Sequence, residues 1–308
     1  MTIKRILLPA LIFVVIWSCK KDDGDDIVVV PPKDLEEVLP EDEANIKKFL
    51  ETHFYNYEEF ETPTEDFDYK IKIDTIAGEN ADKEPLMSQM TPQKVSVPAN
   101  RFGSEAEGMV DHTYYYLVVR EGEGEVVNVV DSVYVRYEGS LLDGTTFDAV
   151  EKIPTWFDLA NIQAIGARGF GEGASNLKAG GEPIINEDGT FSVEGYGIGL
   201  VVFPSGLGYY NASKPNIPAY SPLLFKIDIF AVNQTDHDGD GIPSYMEDLN
   251  NNGYLFDDNT DSAQEIKDRA QATPNFLDTD DDGDGILTKD ELGDANNDGV
   301  PDYLDKDR

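Results

Sequence analysis

Asp or Asn recurs at every second position in four places near the C-terminal end of the chain. Asp236, Asp238 and Asp240 are followed by Gly241 and, at position twelve of the run, by Glu247; Asp280, Asp282 and Asp284 are followed by Gly285 and Glu291 at the same spacing. Alternating acids, a Gly for the sharp turn and a later acid make up the twelve-residue pattern that wraps a hard cation, with the carbonyl of position seven (Ile242, Ile286) as a further ligand. Calcium takes about six to eight oxygens at about 2.3 to 2.6 Å, and such a loop supplies them. Two shorter copies follow the full ones. One is Asp248, Asn250, Asn252 and Gly253; the other is Asp294, Asn296, Asp298 and Gly299, with Val300 at position seven, Asp302 at nine and Asp305 at twelve. The copy at Asp248 is the poorest, since two of its ligands are amides and Asn259 stands at position twelve.

Pro243 and Pro301 fall inside the loops, and the copies nearly abut, so paired flanking helices are not expected. The arrangement resembles thrombospondin type 3-like repeats more than a helix-flanked EF-hand-like sensor, although it lacks their cysteines. Metal then takes the place of an apolar core, and folding is coupled to binding. The expectation is a structural calcium tail over 234–308, rigid as a stalk or interaction module. That segment holds 22 acidic and five basic residues.

The whole chain of 308 residues carries 61 acidic and 24 basic residues, a formal net charge of -37. A nucleic-acid partner is excluded on this ground, because a polyanion requires a basic surface to release its counterions. The single cysteine, Cys19, rules out an intrachain disulfide framework. No Ser-His-Asp set suggests a hydrolase, and Gly166, Gly169 and Gly171 lack the order and the preceding strand of a dinucleotide fingerprint.

Lys4 and Arg5 precede an apolar run, 6–17, that is too short for the roughly 20 residues of a spanning helix. It reads as an export signal over 1–19. The sequence Ile16-Trp17-Ser18-Cys19 resembles a bacterial lipobox, which implies lipidation of Cys19 and a membrane attachment through it. Lys20, Lys21, Asp22 and Asp23 resemble the export signal of Bacteroidetes surface lipoproteins, so the expected location is the bacterial outer membrane, periplasmic or surface-facing. Residues 20–43, charged and with adjacent Pro31 and Pro32, read as a solvated tether. Over 44–111, an apolar stripe of Ile46, Phe49, Leu50 and Phe54 predicts a helix, and alternation of Phe67, Tyr69, Ile71 and Ile73 predicts a strand, together forming an appendage without chemistry of its own.

From 112 to 233 the pattern changes to short alternating runs broken by Gly, Pro and Asp, which predicts an antiparallel sheet. Val133, Val135 and Tyr137 share one face of a strand, and Leu223, Phe225, Ile227 and Ile229 share one face of another. Asp143-Gly144 predicts a hairpin between them and Phe147-Asp148. The stretch Val-Tyr-Val-Arg-Tyr-Glu-Gly-Ser-Leu-Leu-Asp-Gly-Thr-Thr-Phe-Asp over 133–148 closely resembles the signature of FKBP-type peptidyl-prolyl isomerases. Arg168-Gly-Phe-Gly-Glu-Gly, Leu177-Lys-Ala-Gly, Phe203-Pro-Ser-Gly-Leu-Gly-Tyr and Asn216-Ile-Pro-Ala-Tyr-Ser-Pro-Leu-Leu-Phe follow in the family's order. The resemblance implies an α+β fold, an FKBP-like antiparallel sheet wrapped around a short helix, ahead of the Asp-rich tail.

It also implies an activity and a site. Tyr137, Phe147, Phe170 and Phe225 would wall a prolyl pocket with Ile217 beside them, Asp148 would face the substrate carbonyl, and Tyr209 would hydrogen-bond the bound backbone. No catalytic cofactor is needed, since the reaction is rotation about a prolyl amide in proline-containing polypeptide clients. Phe170 stands where well-studied members carry Trp, which implies a smaller floor. The long Glu182 to Gly199 stretch, Tyr210 and Asn211 are expected around the pocket mouth. The leading expectation is an isomerase that assists folding of exported proteins; the alternative is a weakly active or inactive FKBP-like peptide-binding or adhesion lipoprotein.

Overall fold

The computed structural model describes residues 31–186 and 191–306. Cys19, the apolar run before it and the first part of the expected tether lie outside the described residues. Among the described residues, no helix is long and apolar enough to cross a membrane.

The chain opens with helix α1 (Leu35–Thr52), strand β1 (His53–Tyr55), the short helix α2 (Tyr57–Glu61), strand β2 (Ile73–Thr75) and the short helix α3 (Leu86–Gln89). Strands β3 (Thr91–Pro98), β4 (Met109–Arg120), β5 (Ser132–Leu141) and β6 (Thr146–Asp158) follow, then helices α4 (Leu159–Ala164) and α5 (Arg168–Ala174). A small hairpin of β7 (Ile184–Ile185) and β8 (Phe191–Ser192) leads into β9 (Gly197–Phe203) and β10 (Leu223–Asn233), and the tail contains helix α6 (Ser262–Asp268).

Six strands form one antiparallel sheet in the order β3-β4-β9-β10-β5-β6. One face of the sheet wraps α5, where Val135, Tyr137, Phe203, Phe225 and Phe170 share a core. The opposite face is covered by the N-terminal segment, through Ile46, Phe49, Leu50 and Leu86 against Tyr115, Ile198, Leu200 and Val202. This two-sided burial explains β9, whose seven residues Gly-Ile-Gly-Leu-Val-Val-Phe are all buried and do not alternate. Helix α5 contains glycines at 169, 171 and 173, a poor composition for a helix. Packing accounts for two of them: a Cβ on Gly169 would lie 2.3 Å from the Phe203 ring, and one on Gly173 would lie 2.6 Å from Val201. The helix sits that close to β9 because it has almost no side chains on that face.

Several boundaries differ from those expected. The tether ends before Leu35, not at 43, because Leu35, Val38 and Asp42 extend the buried stripe of α1 one turn after another. Pro40 lies inside this helix, where it removes one backbone hydrogen bond, but the burial of its neighbours holds the helix together. At the other end, Phe54 falls on β1 and not on the helix, since α1 stops at Thr52. The strand expected through 66–76 shrinks to Ile73–Thr75; Tyr69 adopts a left-handed backbone (φ 54°) that interrupts the alternation. Residues 91–111 are not an appendage, because β3 and the start of β4 belong to the main sheet.

Asp42, expected in solvent, is buried, and its Oδ2 accepts the Ser205 N–H at 2.8 Å and the Ser205 hydroxyl at 2.6 Å. Burial outweighs these two bonds and raises its pKa from 3.8 to about 6. A carboxyl whose folded value exceeds its unfolded value contributes stability that is complete below about pH 4 and is lost as pH rises through about 6. Asp42→Asn, which mimics the neutral form, is therefore expected to remove a pH-dependent loss of about 3 kcal/mol. Denaturant melts of both proteins at pH 4.5 and 7.5 check this; equal pH slopes in the two would refute it.

The tail packs back onto the central domain and does not stand off from it as a stalk. Leu255 and Phe276 form a small core with Val130 and Ala160. His237 Nε2 lies 3.4 Å from Asp158, and the Thr235 hydroxyl accepts the Ser132 N–H at 3.0 Å.

Candidate functional site

All seven residues assigned to the pocket from the sequence line one cleft of about 540 Å³. Alternation on β5 aims Tyr137 inward with Val133 and Val135, and β6 returns through a turn at Gly144 (φ 86°) to present Phe147 and Asp148 beside it. Phe225 arrives from β10, Phe170 from α5, and Tyr209 and Ile217 from the segment between β9 and β10. The floor is an edge-to-face aromatic cluster. Phe170 meets Phe225 at 5.2 Å and 83°, and Tyr137 at 5.9 Å and 80°, while Phe147 closes on Phe225 at 5.5 Å and 78°. These are favourable geometries for aromatic pairs, and they fix the wall positions.

Polar groups are few. The Tyr137 hydroxyl donates to Asp148 Oδ2 at 2.5 Å, holding the carboxylate at the rim. Burial, helped by Asp148, raises the pKa of Tyr137 well above the usual phenol value, and the same two causes raise that of Tyr209. Both phenols therefore remain hydrogen-bond donors at neutral pH. The site has the composition of a cavity that desolvates and orients a ring, with no nucleophile and base pair set for bond cleavage.

Phe157, Ile162, Lys214 and Pro215 also line the cleft and were not foreseen from the sequence. Phe157 is the important one. It packs on Phe170 at 5.8 Å and on Tyr137 at 5.2 Å, so the floor that Phe170 alone would leave small is completed by a second ring. Its signal was a register count: Phe157 pairs with Val133 across β5 and β6, two residues from the inward-facing Val135. The expectations for the mouth need correction. No described residue of 182–199 is among those lining the cleft; Val193 instead packs on Gly180, and Gly195 lies against Glu123. Tyr210 turns away from the mouth. It stacks on Phe102 at 4.6 Å and donates to the Lys33 carbonyl at 2.6 Å.

The acidic tail forms a second candidate site. All four loops share one backbone: left-handed φ at position four (Gly239 77°, Asn251 56°, Gly283 65°, Asn297 58°) and at position six (Gly241 98°, Gly253 74°, Gly285 98°, Gly299 96°). In each, the position-one Asp accepts the N–H of the position-six Gly. The Gly or Asn at position four was an unused sequence signal, since only these residues enter that region readily. The loops differ in their acids. Asp280, Asp282, Asp284 and Glu291 bring ligand oxygens within 4.8 Å of one another, and so do Asp238, Asp240 and Glu247.

In the Asp248 loop the amides are already engaged, Asn250 donating to Asp257 and Asp258, and Asn252 to Asp257. Asn296 likewise laces the last loop by donating to Asp298 and Asp305, and Asp302 Oδ1 accepts the Ala295 N–H. Asp236 is not one of the mutually close oxygens of the first acidic group; it accepts from Gly239 and Gly241, and its charge adds to the repulsion on Asp238. Burial and mutual repulsion raise Glu247 to about 9, Asp281 to about 8 and Asp238 to about 7. Both carboxylate oxygens of Glu247 are buried without a hydrogen-bond donor. Such groups fit a divalent cation, which would supply the missing positive charge.

The chain is 34% identical over 119 residues to the FKBP-type peptidyl-prolyl cis-trans isomerase FkpA of Escherichia coli (strain K12), covering 38% of this chain and 37% of that protein. It is 30% identical over 126 residues to a probable FkpA of Neisseria meningitidis, covering 38% and 44%. The chain carries an FKBP-like domain. It spans less than half the length of these two curated relatives. The crystal structure of E. coli FkpA is matched with a TM-score of 0.33 at 22% identity, over 64% of this chain and 62% of that one. A family model described as BamM C-terminal matches residues 237–297, most of the acidic tail beyond the FKBP-like domain.

Proposed function

We propose that the chain is a peptidyl-prolyl cis-trans isomerase acting on proline-containing segments of exported polypeptides, held at the outer membrane through a lipid on Cys19, with calcium as a structural ion of its tail. The observation that carries the catalytic reading is the convergence of Tyr137, Phe147, Phe170, Tyr209, Ile217 and Phe225 on one apolar cleft whose rim carboxylate, Asp148, is held by Tyr137.

Rotation about a prolyl amide crosses a barrier of about 18 to 20 kcal/mol because resonance gives the C–N bond partial double-bond character. Water stabilises the planar, dipolar amide more than the twisted one. An apolar cleft that takes the prolyl ring and strips water from the amide therefore binds the twisted state better, and the rate rises accordingly. Phe170 and Phe225 meet the ring, Tyr209 donates to the bound backbone, and Asp148 fixes the carbonyl side.

The test is cis-to-trans exchange of a short Leu-Pro peptide, followed by NMR without a coupled protease. Catalysis above the thermal rate is expected, with no inflection from the two phenols below about pH 10. A folded protein that binds the peptide without accelerating exchange would instead identify a peptide-binding module.

A further inference from the structure

The twelve-residue pattern assigns each loop its own acids, but the first acidic group includes a residue from elsewhere. Asp281 lies 34 positions beyond Glu247, yet its carboxylate falls within 4.8 Å of the ligand oxygens of Asp238, Asp240 and Glu247. Asp281 and Glu247 are each 1% exposed, and both oxygens of each side chain are buried without a hydrogen-bond donor. A surface acid turned in by chance would keep water or find a donor. Four carboxylates facing one another in a dry space is the arrangement expected around a cation.

Comparison of the two full loops shows how Asp281 reaches this position. Position nine is a hydroxyl in both, and it accepts the N–H of position two: Ser244 from His237 at 3.2 Å, Thr288 from Asp281 at 3.2 Å. The backbones therefore orient position two alike. In the first loop that residue is His237, directed at Asp158 and the Phe276 ring of the docking surface. In the second loop it is Asp281, directed at the first loop. Its neighbours Asp280 and Asp282 belong to the other acidic group, with Asp284 and Glu291. Three consecutive acids are thus divided, the outer two to one group and the middle one to the other.

We propose that Asp281 is a ligand of the first loop's cation, so that the two full loops form one two-ion unit and not two independent sites. This rests on the reading of the loops as calcium sites. The ion at Asp238 and Glu247 then ties together two points some 40 residues apart, and the segment it closes contains Leu255, α6 and Phe276. Closing a loop of that length removes unfolded-state freedom much as a cross-link would.

Calcium titrated calorimetrically into the chelator-stripped full chain tests this. Asp281→Asn is expected to weaken one calcium site about tenfold or more, as Asp238→Asn does, because both remove a charged ligand from the same ion. Thermal melts provide a second reading that separates ligand loss from misfolding. In chelator, Asp281→Asn is expected to melt no lower than the unsubstituted chain, since it relieves repulsion; in millimolar calcium it gains less than the unsubstituted chain. If Asp238→Asn loses affinity and Asp281→Asn does not, the shared site is refuted while the calcium loops stand. If the unsubstituted chain takes up no calcium, the calcium reading itself falls. A lower melting point for Asp281→Asn already in chelator would assign the residue a packing role and refute ligation.

Discussion

Phe225→Ala is expected to lower kcat/KM for prolyl isomerisation by about two decades, a loss of about 3 kcal/mol in transition-state stabilisation. Phe225 is 4% exposed and lies within 5.2 to 6.2 Å, centre to centre, of Phe170, Phe147, Phe203 and Tyr137. Removing it opens the floor to water, and water is what the cleft must exclude. Truncating a buried Phe also costs about 3 to 5 kcal/mol of stability, so the variant has to be assayed well below its melting point. Asp148→Ala provides the companion test with little packing at stake, because Asp148 is exposed and reaches the core only through the Tyr137 hydroxyl. A decrease of about tenfold is expected there, with an unchanged melting point. Unaltered kcat/KM in both variants would show that the reaction occurs elsewhere.

Removing calcium is expected to lower the melting midpoint by about 10 °C, the shift that about 4 kcal/mol of ligand-linked stability gives in a chain of this size. The pH dependence should also change sign. In the metal-free chain Glu247, Asp281 and Asp238 have pKa values raised to about 9, 8 and 7. Their contribution is complete below the unfolded carboxylate range and is lost as pH rises through 7 to 9, so the chelated protein weakens on going alkaline. With calcium bound, protons compete with metal for the same oxygens, and stabilisation by the ion grows with pH. Melts from pH 6 to 9, with chelator and with millimolar calcium, give the two slopes. Parallel slopes would mean that the loops hold no ion.

The pocket was legible through the resemblance carried by 133–148 and the segments that follow it; alternation by itself placed only Tyr137 and Phe225 on inward strand faces, where a one-residue slip would have turned them outward. Phe157 was less visible: β6 is an edge strand with irregular pairing, and register shifts near Tyr137 and Gly139 break the count from Phe147. The start of α1 was hidden by Pro40 and by acids that look solvated, one of which, Asp42, is buried against Ser205. In the tail, position rules within a loop found the loops but not Asp281, because a ligand borrowed from another loop leaves no local spacing. Leu255 and Phe276, large apolar residues in a polar stretch, were the available sign that the tail is docked.

Arg168 begins the helix that carries Phe170 and is 2% exposed; it pairs with Glu172 at 2.9 Å and donates to the Asn252 carbonyl at 2.5 Å in the second acidic loop. The boundary drawn by similarity and the boundary drawn by packing therefore do not coincide. A fragment cut after Asn233 would keep every residue of the cleft, yet it would lose the carbonyl partner of a buried guanidinium and uncover Val130 and Ala160. Recombination that exchanged the tail between chains would have to carry the matching surface of the domain with it. The domain and the tail pack as one unit, joined through a helix that presents Phe170 to the cleft and Arg168 to the Asp248 loop.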